Sequence, residues 1–392
     1  MHKEERVMNL LAGKPVDFLP SQINFSSESM NFEVARALGL PDVGALDEFL
    51  QNHFTLTPTL QDAPLYYRDD SFSDKLARLE RDGFVGIDRE GGVIYDSWGC
   101  GIRFNSDTFY ICYHPLQGDE EKNMRAEPYL PERFDRELLH LDPGEAVRRY
   151  QFPDPRVAGN YEELEAALAA SPGDTVVWPA GYVGIFERAY AILGFERYMT
   201  TSALEPGIVE ELLEKITEYK VLDAREKVKR GIKYAHHGDD LGTQTGLLFS
   251  RKDFLRLLKP RLARLCAVYT EAGVPVGMHS CGNIIELIPD LIEIGIRLLE
   301  PVQPCMDLTR LKKEFGQNLV FWGGIDTQDL LPFGTPERVK KETREVIRLL
   351  GEGDGYVIAP SQAIMPDVPL ANVVAFLEAV VEERQVRTGA LA

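Results

Sequence analysis

In its second half the chain alternates short runs of β-branched and apolar residues with longer amphipathic stretches. The short runs fall at 175–178, 232–235, 274–278, 296–299, 319–322 and 356–359. Between them, apolar positions recur at helical spacing over 206–229, 251–271, 284–294, 308–315 and 336–350. This rhythm predicts parallel strands joined by helical crossovers. The expected helices have chemical reasons to start and stop. Ser250 offers a hydroxyl to the free N–H groups of the next turn, and Thr335-Pro336 pairs a capping hydroxyl with proline at the first helical position. Gly273 and Gly295 follow helical runs where a left-handed cap belongs. The first half is less regular. Residues 17–24 suit a first strand, 71–82 a helix, and 91–111, rich in glycine and aromatics, a hairpin.

The strand ends are richer in chemistry than the strands. The run at 232–235 leads to His236-His237-Gly238-Asp239-Asp240, and that at 274–278 to His279-Ser280-Cys281-Gly282-Asn283. The next three lead to Glu300-Pro301-Val302-Gln303, Gly323-Gly324-Ile325-Asp326 and Pro360-Ser361-Gln362. In a parallel barrel those ends share one face, where active sites are built. Polar loops also cap helices, but five in succession exceed what capping requires.

Length admits either an α/β barrel with long insertions or two to three domains of roughly 150 residues. Charge narrows the function. The chain has 62 acidic and 43 basic residues, and residues 1–200 alone hold 34 and 19, a net of −15. Such a surface repels phosphate backbones and anionic lipid, which counts against nucleic acid and membrane as partners. With 44% apolar residues the composition is that of a globular protein. No run approaches the ~18 apolar residues of a membrane span, and the start, Met1-His2-Lys3-Glu4-Glu5-Arg6, reads as no signal peptide. Five cysteines, at 100, 112, 266, 281 and 305, form no CxxC pair, so a reducing cytoplasm is the expected compartment.

His279-x-Cys281 is the sharpest chemical signal. An imidazole and a soft thiolate two residues apart at a strand end are zinc ligands by type, although two ligands alone do not make a site, and a buried cysteine beside a hydrogen-bonded histidine has the same sequence. Glu300, Asp239 or Asp240, His237, Gln362 and Cys305 are the other strand-end donors. Asp239-Asp240 can bind metal, move protons, orient an imidazole or cap the following helix. Cys100, Cys112 and Cys266 read as packing residues. Trp98, Phe104, Tyr110, Trp178, Tyr182 and Phe186 are aromatic candidates for a pocket wall, although such spacings also suit a core.

Several of these stretches resemble the uroporphyrinogen decarboxylase-like superfamily. They are Asp239-Asp240-Leu241-Gly242, His279-Ser280-Cys281-Gly282-Asn283, Gly323-Gly324-Ile325-Asp326-Thr327 and Gly355 to Ser361, in that order. Glu4-Glu5-Arg6-Val7 to Pro15-Val16-Asp17, and Asp96-x-Trp98-Gly99 ahead of His114-Pro115-Leu116, fit as well. The resemblance implies one (β/α)8 TIM barrel over residues 1–392, with N-terminal and loop insertions. The superfamily's haem-pathway decarboxylases carry an Arg-rich N-terminal motif, yet no arginine occurs here between Arg6 and Arg36. Its cobamide-dependent methyltransferases carry a His-x-Cys…Cys zinc motif, whose first part His279-x-Cys281 matches. Where the third ligand belongs, this chain has Ser361-Gln362.

The resemblance therefore implies a zinc-dependent methyltransferase. It would exchange methyl between a small substrate, such as a methoxylated one, and methylcobamide or cob(I)amide on a partner corrinoid protein. His279 and Cys281 would hold zinc, with Glu300 or Gln362 completing the shell. His237, Asp239 and Asp240 are the expected catalytic groups, and Tyr182, Gln303, Trp322 and Asp326 the expected substrate contacts. A metal-free decarboxylase-like enzyme, and a barrel that only binds a corrinoid protein or small ligand, are the alternatives. An acidic rim meeting a basic patch on the carrier would make association salt-sensitive.

Overall fold

The computed structural model describes residues 1–59, 61, 73–104, 109–170, 173–179, 181 and 183–389. β1 (Phe54–Thr57) is followed by four short strands: β2 (Gly86–Asp88), β3 (Val93–Tyr95), β4 (Gly101–Phe104) and β5 (Phe109–Tyr113). These four pair in sequence as an antiparallel sheet, an insertion where the hairpin was expected. β6 (Val176–Pro179) returns to pair in parallel with β1. β7 (Ala235–Gly238), β8 (Val276–His279), β9 (Ile296–Val302), β10 (Val320–Ile325) and β11 (Tyr356–Pro360) form a parallel sheet in chain order. All residues of β10 and β11 are buried, as expected of strands covered on both faces.

Two seams join these sheets into a ring. Gly238 N–H donates to the Gly181 carbonyl at 2.9 Å, linking β7 to the chain just past β6. On the other side, residues 20–22 lie between β11 and β1. Ile358 N–H donates to Pro20 O (2.8 Å), Gln22 N–H to Ile358 O (2.9 Å), and His53 N–H to Ser21 O (3.1 Å). This segment and seven strands complete a (β/α)8 barrel. The predicted strand at 17–24 is thus a short bridge, whereas β1 had no apolar run to announce it.

The helices start where their chemistry allows. Ser250 accepts from Asp253 N–H, Thr335 accepts from Arg338 N–H, and Gly273 and Gly295 take φ of 73° and 103°. Expected helices appear at Pro206–Lys229, Leu308–Phe315 and Pro336–Gly351, and at Ser73–Arg81 within the described part of 71–82. The strand expected at 232–235 begins three residues late, which places His236 and His237 inside β7. Glu300 and Gly323-Gly324 likewise fall inside β9 and β10. Among the described residues, no helix is long and apolar enough to cross a membrane.

Aromatic rings fill the interior of the barrel. Phe54 and Trp322 lie 4.6 Å apart, Trp178 and Trp322 5.3 Å, and Phe54 and Tyr234 5.5 Å. Val7 and Leu10, from the helix Lys3–Leu11, pack against the same cluster. Trp322, expected at the substrate, is 3% exposed within this cluster and is a packing residue here.

His53 sits at the closing seam. Its ring lies 3.1 Å from Arg6 and 3.3 Å from the Ser21 backbone. Burial first, and then the charges of Arg6 and Arg384, push this imidazole down to about 3 from 6.5. The unfolded chain therefore binds a proton between these values that the folded chain does not. The associated stability is present above pH 6.5 and is lost as pH falls toward 3. His53→Gln should flatten the decline by up to about 1.4 kcal/mol per pH unit below pH 6.5. Denaturant titrations at pH 7.5 and 5 would measure this, and equal slopes for both proteins would refute it.

Candidate functional site

The β7–β8–β9 edge brings the His279 and Glu300 side chains level with the end of β7, because Gly238 pairs with His279 and His279 with Glu300. His279 Nδ1 lies 2.6 Å from Glu300 Oε2. Its other nitrogen, Nε2, lies 3.4 Å from Asp240 Oδ1 and 3.6 Å from Cys281 Sγ. Asp240 is held in place by the Cys281 N–H, at 2.7 Å. Gln362 Nε2 lies 3.2 Å from Cys281 Sγ. Gln303 accepts from Gly282 N–H at 2.7 Å, which brings its amide nitrogen to 3.9 Å from the same sulfur.

Donor atoms of Asp240, His279 and Cys281 all lie within 4.8 Å of one another. Zinc bonds of about 2.0–2.1 Å to nitrogen or oxygen and about 2.3 Å to sulfur, at tetrahedral angles, imply edges of about 3.3 Å (N to O) and about 3.5 Å (N to S). The observed 3.4 and 3.6 Å match those edges. The residues present therefore fit a zinc ion. Glu300, expected among the ligands, sits instead behind the imidazole on Nδ1, and Asp240 is the carboxylate beside the thiol. A carboxylate on the far nitrogen is the usual means of orienting a metal-binding histidine.

Without a metal, the same carboxylates favour the charged ring, so a cation bound at Nε2 would take the place of a proton. Burial opposes a charged His279 ring, but Glu300 and Asp240 outweigh it and raise its pKa well above the ordinary value. Burial likewise opposes ionisation of Glu300, and the two imidazoles, His279 and His236, overcome it and bring the carboxyl down to about 2. Asp240 is held below its usual range by His279 and the Cys281 N–H, against the effect of burial.

Asp239 does something different. It is fully buried, and its carboxylate accepts from the N–H groups of Ile185 and Phe186 (both 3.0 Å) and Glu187 (2.8 Å). These are free donors in the first turn of the helix Ile185–Leu193, whose own N-cap, Gly184, has no side chain to offer. An expected catalytic acid is thus a cap supplied from a neighbouring strand. His237, also expected to be catalytic, is buried with Nε2 3.7 Å from Asp239. Asp326 accepts from the N–H groups of Gln328 (2.7 Å) and Asp329 (3.2 Å), closing its own turn. Tyr182 and the Phe104 side chain lie outside the described residues. Trp98 and Phe186 are core, and Tyr110 is exposed on the inserted sheet.

The capped helix carries a residue that sequence reasoning missed. Burial, followed by the charges of Asp240 and Asp239, pushes the Glu187 carboxyl up to about 8. The Tyr190 hydroxyl lies 3.4 Å from it. Glu187 follows β6, so the strand-end rule that found the others applies one strand earlier.

Residues 134–383 match the family described as Uroporphyrinogen decarboxylase (URO-D). The chain belongs to that family. Among its relatives, methylcobamide:CoM methyltransferase MtaA of Methanosarcina barkeri is 24% identical over 73% of this chain and 76% of its own length. A uroporphyrinogen decarboxylase of Chlorobaculum parvum is 26% identical over 46% of this chain and half of its own. A solved methyltransferase from Methanosarcina mazei superposes over 97% of this chain and 99% of its own, with a TM-score of 0.61 at 19% identity, which establishes the shared fold. The family's named members are thus methyltransferases and decarboxylases.

Within this URO-D family chain, Asp239→Asn leaves one carbonyl oxygen for three buried donors and should destabilise the fold by about 2–4 kcal/mol. Denaturant unfolding would show it, and a stability within about 0.5 kcal/mol of wild type would refute the capping role.

Proposed function

We propose that this chain is a zinc-dependent methyltransferase of a corrinoid system. It moves a methyl group between a small methylated substrate, such as a methoxylated compound, and a corrinoid on a separate protein. The observation that carries this reading is that Asp240, His279 and Cys281 place their donor atoms within 4.8 Å of one another at the strand ends, with the two measured distances from His279 Nε2 close to tetrahedral edges. The longer match to the methylcobamide-dependent relative than to the decarboxylase supports it.

Zinc held there supplies a Lewis acid that lowers a thiol's pKa or polarises a leaving group. The chain's own residues prepare the site. Glu300 accepts the His279 Nδ1–H, which leaves Nε2, facing Cys281 and Asp240, as the nitrogen a metal would take in place of its proton. The amide nitrogen of Gln362 lies 3.2 Å from Cys281 Sγ and can donate to it. Glu187, its carboxyl pushed up to about 8 by burial and the charges of Asp240 and Asp239, is the group suited to donate a proton at the mouth. The aromatic interior beneath keeps substrate at the mouth.

Purified protein should carry about one zinc per chain, lost in His279→Ala and Cys281→Ala and weakened in Asp240→Asn. Methyl transfer from a panel of methoxyarenes to free cob(I)alamin should follow metal content across these variants. An active, metal-free wild type would overturn the zinc role, and zinc-loaded protein without methyl transfer from any donor would favour a barrel that only binds.

A further inference from the structure

Below the candidate metal site, a second line of polar groups runs into the barrel interior. Glu300 Oε2, which holds His279, also lies 3.3 Å from His236 Nε2. His236 Nδ1 in turn lies 2.7 Å from the Tyr234 hydroxyl. Tyr234 is 0% exposed and His236 4%, and Trp178 packs on the imidazole at 4.4 Å. Two buried polar groups in an otherwise aromatic interior are costly unless each partner is correctly placed.

The hydrogen-bond directions follow from chemistry. A carboxylate only accepts, so the His236 nitrogen facing Glu300 is the N–H. Nδ1 is then the bare nitrogen and accepts from Tyr234 O–H. Glu300 Oε2 thereby faces both imidazoles, His279 Nδ1 at 2.6 Å and His236 Nε2 at 3.3 Å. The remaining nitrogen, His279 Nε2, faces Asp240 and Cys281 and is the one a metal would take in place of a proton. The backbone makes room for this chain of contacts. A Cβ on Gly277 would stand 1.9 Å from the Tyr234 hydroxyl and 2.9 Å from His236 Nδ1. Only glycine there lets the pair form.

We infer that Tyr234 and His236 are positioning residues for the metal centre: through Glu300 they hold the tautomer and orientation in which His279 presents Nε2. The inference rests on the zinc reading above and assigns a function to two interior residues that touch neither metal nor substrate.

The test measures zinc affinity by chelator competition and the visible spectrum of the cobalt(II)-substituted protein, for wild type, Tyr234→Phe, His236→Leu and His236→Gln. Breaking an outer contact of this kind costs about 10- to 100-fold in metal affinity. His236→Leu should lose about that much, and Tyr234→Phe, one contact further away, about tenfold. Both should shift the cobalt ligand-field bands. His236→Gln, whose amide N–H can still reach Glu300, should recover most of the affinity, which a purely space-filling role does not predict. If His236→Leu does not fold, Tyr234→Phe decides, because it removes one oxygen and leaves the packing. Unchanged affinity and spectrum in Tyr234→Phe and His236→Leu would overturn the inference while leaving the metal reading intact. A wild type that binds neither zinc nor cobalt would overturn both.

Discussion

The site depends on a buried carboxylate that faces backbone donors. Asp239 has no solvent contact and accepts three backbone N–H groups from the first turn of the helix Ile185–Leu193. A helix start without a capping side chain leaves donors unpaired, and a buried carboxylate without donors is costly, so each needs the other. The pairing locks the end of β7 to the helix that follows β6. Asp240, the next residue, is thereby set against Cys281, and Glu187 is carried to the same place. Two adjacent aspartates thus serve different ends because one side chain points under the helix and the other into the mouth.

The same helix ties the barrel to its insertion. Arg188, next to Glu187, pairs with Asp96 at 2.7 Å, with both groups about 1% exposed, and its guanidinium lies 4.7 Å over the Trp98 ring. Asp96 also accepts from the N–H groups of Trp98 and Cys100. Removing either partner would strand a buried charge, so the loop of the inserted sheet cannot drift from the barrel without large cost. Cap and ion pair hold one short helix from two sides, and that helix forms one wall of the site.

Division of the barrel into a packed half and a reactive half follows from side-chain type along each strand. Phe54, Trp178, Tyr234 and Trp322 exclude water from the interior. Charges can persist only where partners replace that water, which confines Glu300 to the level of His236 and His279. The large shifts of Glu300 and His279, in opposite directions, reflect one mutual interaction in a place where burial alone would discharge both.

The strand–helix rhythm of the second half, the helix caps at Ser250 and Thr335, and the His-x-Cys pair were all legible in the sequence. Each is a local matter of periodicity, capping or spacing. The chain order of polar strand ends also predicted that His279, Cys281, Glu300, Gln303 and Gln362 would meet. Tertiary structure alone decided their roles. Whether a carboxylate faces Nδ1 or Nε2 depends on the register between β8 and β9, and whether Asp239 or Asp240 reaches the mouth depends on a helix that begins 54 residues earlier in the chain. β1 escaped notice because only its end residues, Phe54 and Thr57, are buried, and the strand is set by pairing with β6 and the packing of Phe54 on Trp322, contacts that no local pattern records. Composition and local order determined the kind of fold and the chemistry available to it. Register and long-range packing decided which atom does what, because those distances are set by residues far apart in the chain.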